Sequence, residues 1–367
     1  MKFIKILLIF FVFNSCKKND VKDIEIFRFD KELSSVDSVN IDKKLLKWDT
    51  SFYDFISYYY RDVLDIQNYN HNRLEEQMLL GAYDENFASQ NNIILTAIEN
   101  EFADFNDIIT NIEKVVSNIH TLFPDLVVPT AVVTINAENS AGMMFKGDTI
   151  VLPLEKYLGD KFYNNNPQMY PPTTVPRYLT KTWDKKFIVR DILENWCNVQ
   201  FDRFQKTTFL DNLIYKGKIM YIVRKCMPDS PLEDILKFSK EEIRWCEMHE
   251  QNIWNEILKM DIMYSSDESN YISFFNDSPF TRGMPPESPG RLGYFVGYKI
   301  ISQYMENEDV RMLDLMQNTN SQEILLKSKY NPKKQDQESW VNRYWWISFG
   351  FIFLLGYFIY KKYIIKK

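Results

Sequence analysis

The chain has 367 residues, of which 45% are hydrophobic, 16% aromatic and 26% charged, and its formal net charge is −6. That apolar content suits a sizeable core and excludes a disordered chain, while the acidic balance excludes the basic footprint of a nucleic-acid binder. Three scattered histidines, His71, His120 and His249, mean that any chemistry needing two imidazoles must join distant parts of the chain.

The chain begins MKFIKILLIFFVFNSC, with Lys2 and Lys5 ahead of an apolar run from Ile6 to Phe13. That run is far short of the roughly 20 residues that cross a bilayer and fits the h-region of a secretory signal. Residues 1–15 therefore read as a signal peptide. Ser15 before Cys16 resembles a bacterial lipobox, in which the cysteine becomes the lipidated first residue, although Phe13 and Asn14 depart from the usual pattern.

An alternating stretch, Ile24 to Phe29, reads as a half-buried strand. Residues 51–67 have helical spacing, with Phe52, Phe55, Ile56, Tyr59 and Val63 on one side, and a long amphipathic helix is expected over 94–122. The β signal lies in the middle of the chain, in short β-branched runs at 128–136 and 148–153 separated by a loop holding Gly142 and Gly147. The second run is expected to be an edge strand. A proline- and asparagine-rich loop follows at 162–178, then helices over 186–199 and 208–226. Ser239 and Glu242 form a capping-box pattern that opens a helix to Met260.

The last body helix is expected to begin at Ser288, within ESPGRLGYFVGYKIISQYM. Ser288 would cap it and Pro289 would be its first residue, where the missing N–H does no harm. Gly293 and Gly297 then share one face, and each costs roughly 1 kcal/mol against alanine in a helix interior. The bare face is read first as a close backbone contact. The alternative is an anion held by the N–H groups near Gly290 and by the Arg291 guanidinium.

Asn331 to Gln335 reads as the end of the body, 335–343 as a linker, and 344–360 as an uncharged run at the short limit for a transmembrane helix. Trp345, Trp346, Tyr357 and Tyr360 sit at its margins, and the lysines of the tail 361–367 put that end in the cytoplasm. With the six terminal lysines set aside from 44 basic residues against 50 acidic, the body carries about −12. Cys197, Cys226 and Cys246 match no zinc spacing; they permit one disulfide without naming the pair, and buried free thiols are the simpler reading.

Several blocks in order, IEIFRFDKEL, LDNLIYKGKIMYIVRKCMPDSP, FSKEEIRWCEMHEQNIWNEIL, MYSSD and NDSPFTRG with the glycine-bearing stretch, resemble the gliding motility lipoprotein GldB family of Bacteroidetes. The resemblance covers residues 24 to about 334. It implies an envelope protein associated with gliding and type IX secretion proteins and with the membrane, needing no cofactor. Members of that family end near Tyr330 to Lys333, whereas this chain continues into the spanning run.

The family is similar, more distantly, to predicted zinc proteases with an HExxH helix, which implies a zincin-like frame. A zincin needs two histidines one turn apart and a glutamate between them. The equivalent helix here, IVRDILENWC, carries Arg190, Asp191 and Glu194 at those degenerate positions, and Lys216 stands near the place of the downstream acidic ligand. This spacing reads as a solvated, salt-bridged helix face, and His249 followed by Ile253 as a surface histidine. The expected architecture is α+β: one mainly helical domain, 16–334, with a small central sheet. A non-catalytic binding or scaffolding role comes first, ahead of an envelope peptide or glycan hydrolase and a plain structural subunit. A raised carboxyl pKa at Asp191 or Glu194 would favour the hydrolase, and an exposed groove beside the 148–153 strand would favour peptide binding.

Overall fold

The computed structural model describes residues 24–36, 39–51, 53–59, 85–136, 143–145, 148–201 and 207–333. The expected signal peptide, Cys16, the 335–343 linker, the 344–360 run and the tail 361–367 lie outside the described residues. No helix among the described residues is long and apolar enough to cross a membrane.

Strand β1 (Glu25–Phe27) is followed by three helices, α1 (Phe29–Ser34), α2 (Ile41–Ser51) and α3 (Tyr53–Tyr58). Then come α4 (Glu85–Glu101) and α5 (Asn106–Leu122), not the single helix expected over 94–122. The break is local chemistry: the Asp104 carboxylate accepts the Asn106 N–H at 2.9 Å, a bond that competes with the helical ladder. Phe102 and Phe105 flank the break and are both buried.

The sheet has the order β1-β2-β4-β3, from β2 (Ala131–Ile135), β3 (Met143–Phe145) and β4 (Thr149–Pro153). The first three strands in that order are parallel, with Val132 opposite Ile150, and β3 pairs antiparallel with β4. Two expectations are corrected here. The loop expected between the β runs contains β3, and the 148–153 strand is interior because β3 covers its outer side.

Parallel strands need cover on both faces, and this sheet has it. Val132, Ile150 and Leu152 face the main core. Val133, Ile135 and Val151 face a smaller core built on α1 to α3. Phe29 is at the centre of the latter, with the rings of Trp48, Phe55 and Tyr59 edge-on to it at 4.9 to 5.0 Å.

After β4 the chain forms α6 (Asp160–Asn165) and α7 (Arg177–Thr180), which overlap the two ends of the expected loop, then α8 (Ile188–Gln200) and α9 (Phe209–Cys226). A short α10 (Leu232–Leu236) leads to α11 (Lys240–Lys259), whose Ser239–Glu242 capping box is present; α9 opens on a second one, Thr208 with Asp211.

The helix expected at Ser288 starts later, as α12 (Leu292–Asn307), with Arg291 in a left-handed backbone conformation, φ 58°. Thr281 explains the shift. Its N–H and hydroxyl both donate to the Pro289 carbonyl, at 3.1 and 2.8 Å, and its hydroxyl accepts the Leu292 N–H. A distant threonine thus caps the helix, and residues 288–290 form the approach to it. Ser288 is buried with its hydroxyl unpartnered. Nor is α12 the last helix: α13 (Met312–Gln317) and α14 (Ser321–Ser328) follow, α13 packing on α9 and α14 on both α9 and α12.

Candidate functional site

Helix α8 buries Ile188, Ile192, Leu193, Trp196 and Cys197 in the main core. Its remaining strip carries Arg190, Asp191 and Glu194, and this strip is not solvated: Arg190 is 1% and Asp191 7% exposed. Helices α9, α10 and α12 close over it, bringing Lys216, Lys237, Arg291 and Tyr294 to the same place.

Arg190 is at the centre. Its guanidinium pairs with Asp191 Oδ1 at 3.0 Å and with Glu194, donates to the Ile235 carbonyl at 2.9 Å, and contacts Met220 Sδ at 3.3 Å. Asp191 Oδ2 accepts from Lys237 Nζ at 2.7 Å and from the Tyr157 hydroxyl at 3.1 Å. Glu194 Oε1 accepts from Lys216 Nζ at 3.4 Å and from the Tyr294 hydroxyl at 3.2 Å. Arg291 donates to the Leu236 and Lys237 carbonyls, at 2.9 and 3.3 Å, and pairs with Asp277 at 3.1 Å. Two arginines therefore satisfy the carbonyls at the end of α10, where a helix leaves acceptors and partial negative charge.

The charges fix the ionisation states. Burial works to raise the Glu194 carboxyl, but Arg190, Lys216 and Arg291 outweigh it and hold the group well below the usual carboxylate range. Burial likewise opposes ionisation of Asp191, and Lys237 and Arg190 overcome it. Lys237 is lowered by its own burial despite Asp191. Carboxylates held ionised and already accepting these bonds are poor proton donors. Neither has the raised pKa that a hydrolase's acid would show.

A family model described as "Gliding motility protein GldB" matches residues 14–332. The chain belongs to that family. No curated protein and no solved structure matches it. The match begins at Asn14, just ahead of Cys16, and runs through all the described helices.

In this GldB-family chain Arg190, Asp191 and Glu194 of α8 are a guanidinium and two engaged carboxylates, a donor set suited to ion pairs and not to zinc. Among the described residues no three His, Cys, Asp or Glu side chains converge as metal ligands. His249 stacks on Trp245 at 4.6 Å, with Nδ1 2.8 Å from the Trp245 carbonyl oxygen, and is engaged within its own helix. Among the described residues Cys197, Cys226 and Cys246 are buried and free, and burial pushes the Cys226 thiol up to about 12.

The glycines of α12 are in close backbone contact. A methyl group on Gly297 would overlap the Leu213 carbonyl and lie 3.0 and 3.1 Å from Gly217 N and Cα. On Gly293 it would lie 2.8 Å from the Phe274 carbonyl oxygen, and on Gly290 it would meet the Ser278 backbone. The guanidinium expected beside an anion at Gly290, that of Arg291, instead points at the end of α10 and Asp277.

Sequence reasoning placed Arg190, Asp191, Glu194 and Lys216 together but missed Lys237, Tyr157, Tyr294 and Asp277. No spacing rule connects Lys237, 46 positions from Asp191, to that helix. Gly217 was a legible signal: it lies mid-helix in α9, where a glycine costs as much as those of α12.

Proposed function

We propose that this GldB-family protein is a non-catalytic envelope lipoprotein, a binding or scaffolding component of the gliding motility and type IX secretion machinery, built on a zincin-like frame. The observation that carries this reading is Arg190. Where a zincin places a metal-binding imidazole, this chain places a buried guanidinium that pairs with both neighbouring carboxylates. The reading includes a lipid anchor at Cys16, a spanning helix over 344–360 and a body on the periplasmic side of the cell membrane. It expects no stoichiometric zinc in the purified protein, which metal analysis checks.

The decisive experiment replaces the central pair with apolar residues of similar volume, Arg190→Met with Glu194→Leu, in a strain lacking the native protein. Such a swap of a buried ion pair is often tolerated by the fold. A scaffold keeps supporting gliding in proportion to its abundance. Loss of gliding at normal abundance and normal melting would move the hydrolase ahead of the scaffold. Membrane fractionation, with a tag after Lys367 tested for protease access in spheroplasts, checks the topology; a tag digested from outside overturns it.

A further inference from the structure

The last described residues do not trail away from the fold. Helix α14 ends at Ser328, and Asn307 of α12 donates its side-chain amide to the Ser328 and Lys327 carbonyls, at 2.8 and 3.3 Å. Carbonyls at a helix end have no partner within the helix, so this amide pins the end of α14 to α12. Lys329 then turns the chain, and Tyr330 follows with only 7% of its surface exposed. Pro332 is buried as well.

Tyr330 ties three helices together. Its ring is edge-on to Trp254 of α11 at 5.1 Å, and its hydroxyl donates to Glu250 Oε1 at 3.0 Å. Glu250 Oε2 pairs in turn with Lys299 of α12 at 3.3 Å, so the bond from Tyr330 is backed by a second helix. Burial first, and the Glu250 carboxylate next, push the Tyr330 hydroxyl far above its usual range, which keeps it a donor.

These contacts decide how a pull on the chain beyond Lys333 is borne. Helix α14 has only eight residues, and a force applied at its own end would peel it from α9 and α12 one contact at a time. A force that meets Tyr330 first falls on the ring contact, the buried hydrogen bond and the Asn307 bonds at once. It then passes to α11 and α12, of 20 and 16 residues. Gliding places envelope proteins under force, and this chain belongs to a gliding motility family.

We propose that Tyr330, Glu250 and Lys299 form a load-bearing clasp, which fixes the body to the segment leaving it and hands force on that segment to α11 and α12. The inference rests on the spanning helix proposed above, for which the clasp is the body's point of attachment.

The test stretches single full-length molecules in detergent, with peptide handles placed directly after Cys16 and after Lys367. Peeling of residues 308–333 would lengthen the chain by about 90 Å of contour before the body opens. Wild type shows no such early step. Tyr330→Ala shows it at low force, and Tyr330→Phe, which keeps the ring and loses the hydroxyl bond, shows it at a higher one. Ser239→Ala weakens α11 away from the clasp and shows no early step, which separates load-bearing from a general loss of stability. An early step of that length in wild type or in Ser239→Ala, or none in Tyr330→Ala, overturns the proposal. Where Tyr330→Ala does not fold, Tyr330→Phe decides, and a force trace like that of wild type overturns it. The handles load the clasp whether or not 344–360 spans a membrane, so the clasp and the topology fail separately.

Discussion

Helix α12 begins with two contacts of opposite kinds. At Gly293 and Gly297 it is held by the absence of side chains, which lets Gly297 meet the backbone of α9 and Gly293 lie against Phe274 and Phe275. At Arg291 and Tyr294 it is held by side chains that reach α8, α9 and α10. The difference lies in what can yield. Backbone atoms of packed helices cannot move aside for an added carbon, whereas a charge network can lose matched partners together and remain closed.

The largest effect is expected at the steric contact. Gly297→Leu drives a side chain into the Leu213 carbonyl and the Gly217 backbone, so its cost exceeds the roughly 1–3 kcal/mol of ordinary overpacking. A chemical melt of Gly297→Leu close to wild type would show that the two helices part easily. Next comes Glu194→Leu alone, expected to cost about 3–5 kcal/mol because it leaves Arg190 buried beside one carboxylate. Adding Arg190→Met to it is expected to recover a large part of that loss. A double-mutant cycle giving simple additivity would mean that the two side chains are not coupled.

The same carboxylates set an acid limit. Asp191 and Glu194 titrate lower in the folded chain than in the unfolded one. Their contribution is therefore fully present above the unfolded value, about 4.3 for glutamate, and is lost as pH falls below it towards the depressed folded values. Melting temperature against pH should fall steeply below pH 4 in the wild type and less steeply in the Arg190→Met, Glu194→Leu variant. Equal slopes would remove the network from the acid response.

Arg291→Ala comes lower. The side chain is buried and serves two carbonyls, so a loss of about 1–3 kcal/mol is expected in a urea melt. Smallest is Ser239→Ala, which removes the capping-box oxygen of α11 for about 1 kcal/mol.

This ordering follows what was legible. The glycine contact could be anticipated because Gly293 and Gly297 lie one helical turn apart, and a penalised residue repeated on one face has a local meaning. The capping box at Ser239, the β-branched run of β2 and the helices over 188–200 and 209–226 were readable for the same reason. The start of α12 was not, since its cap is Thr281 and no local motif contains it. The ionic cluster was half visible. Arg190, Asp191 and Glu194 follow a known spacing, but whether that strip faces water depends on α10 and α12, whose contributions come from residues 46 to 100 positions away. Periodicity sees one helix at a time and cannot report what closes over it.

The parallel sheet carries a consequence for the order of assembly. Glu25 pairs beside Ala131, so the first ladder closes a loop of roughly a hundred residues, a slow, high-contact-order step with little early reward. Helices α12 and α14, in contrast, meet across a short connection near the end of the body. As the polypeptide emerges from its N-terminus, β1 must wait unpaired until β2 has followed it, and both then wait for β4 to fill the interior. A destabilising change in β1 should therefore speed unfolding and leave the refolding rate nearly untouched, the signature of a strand that docks after the rate-limiting barrier has been crossed.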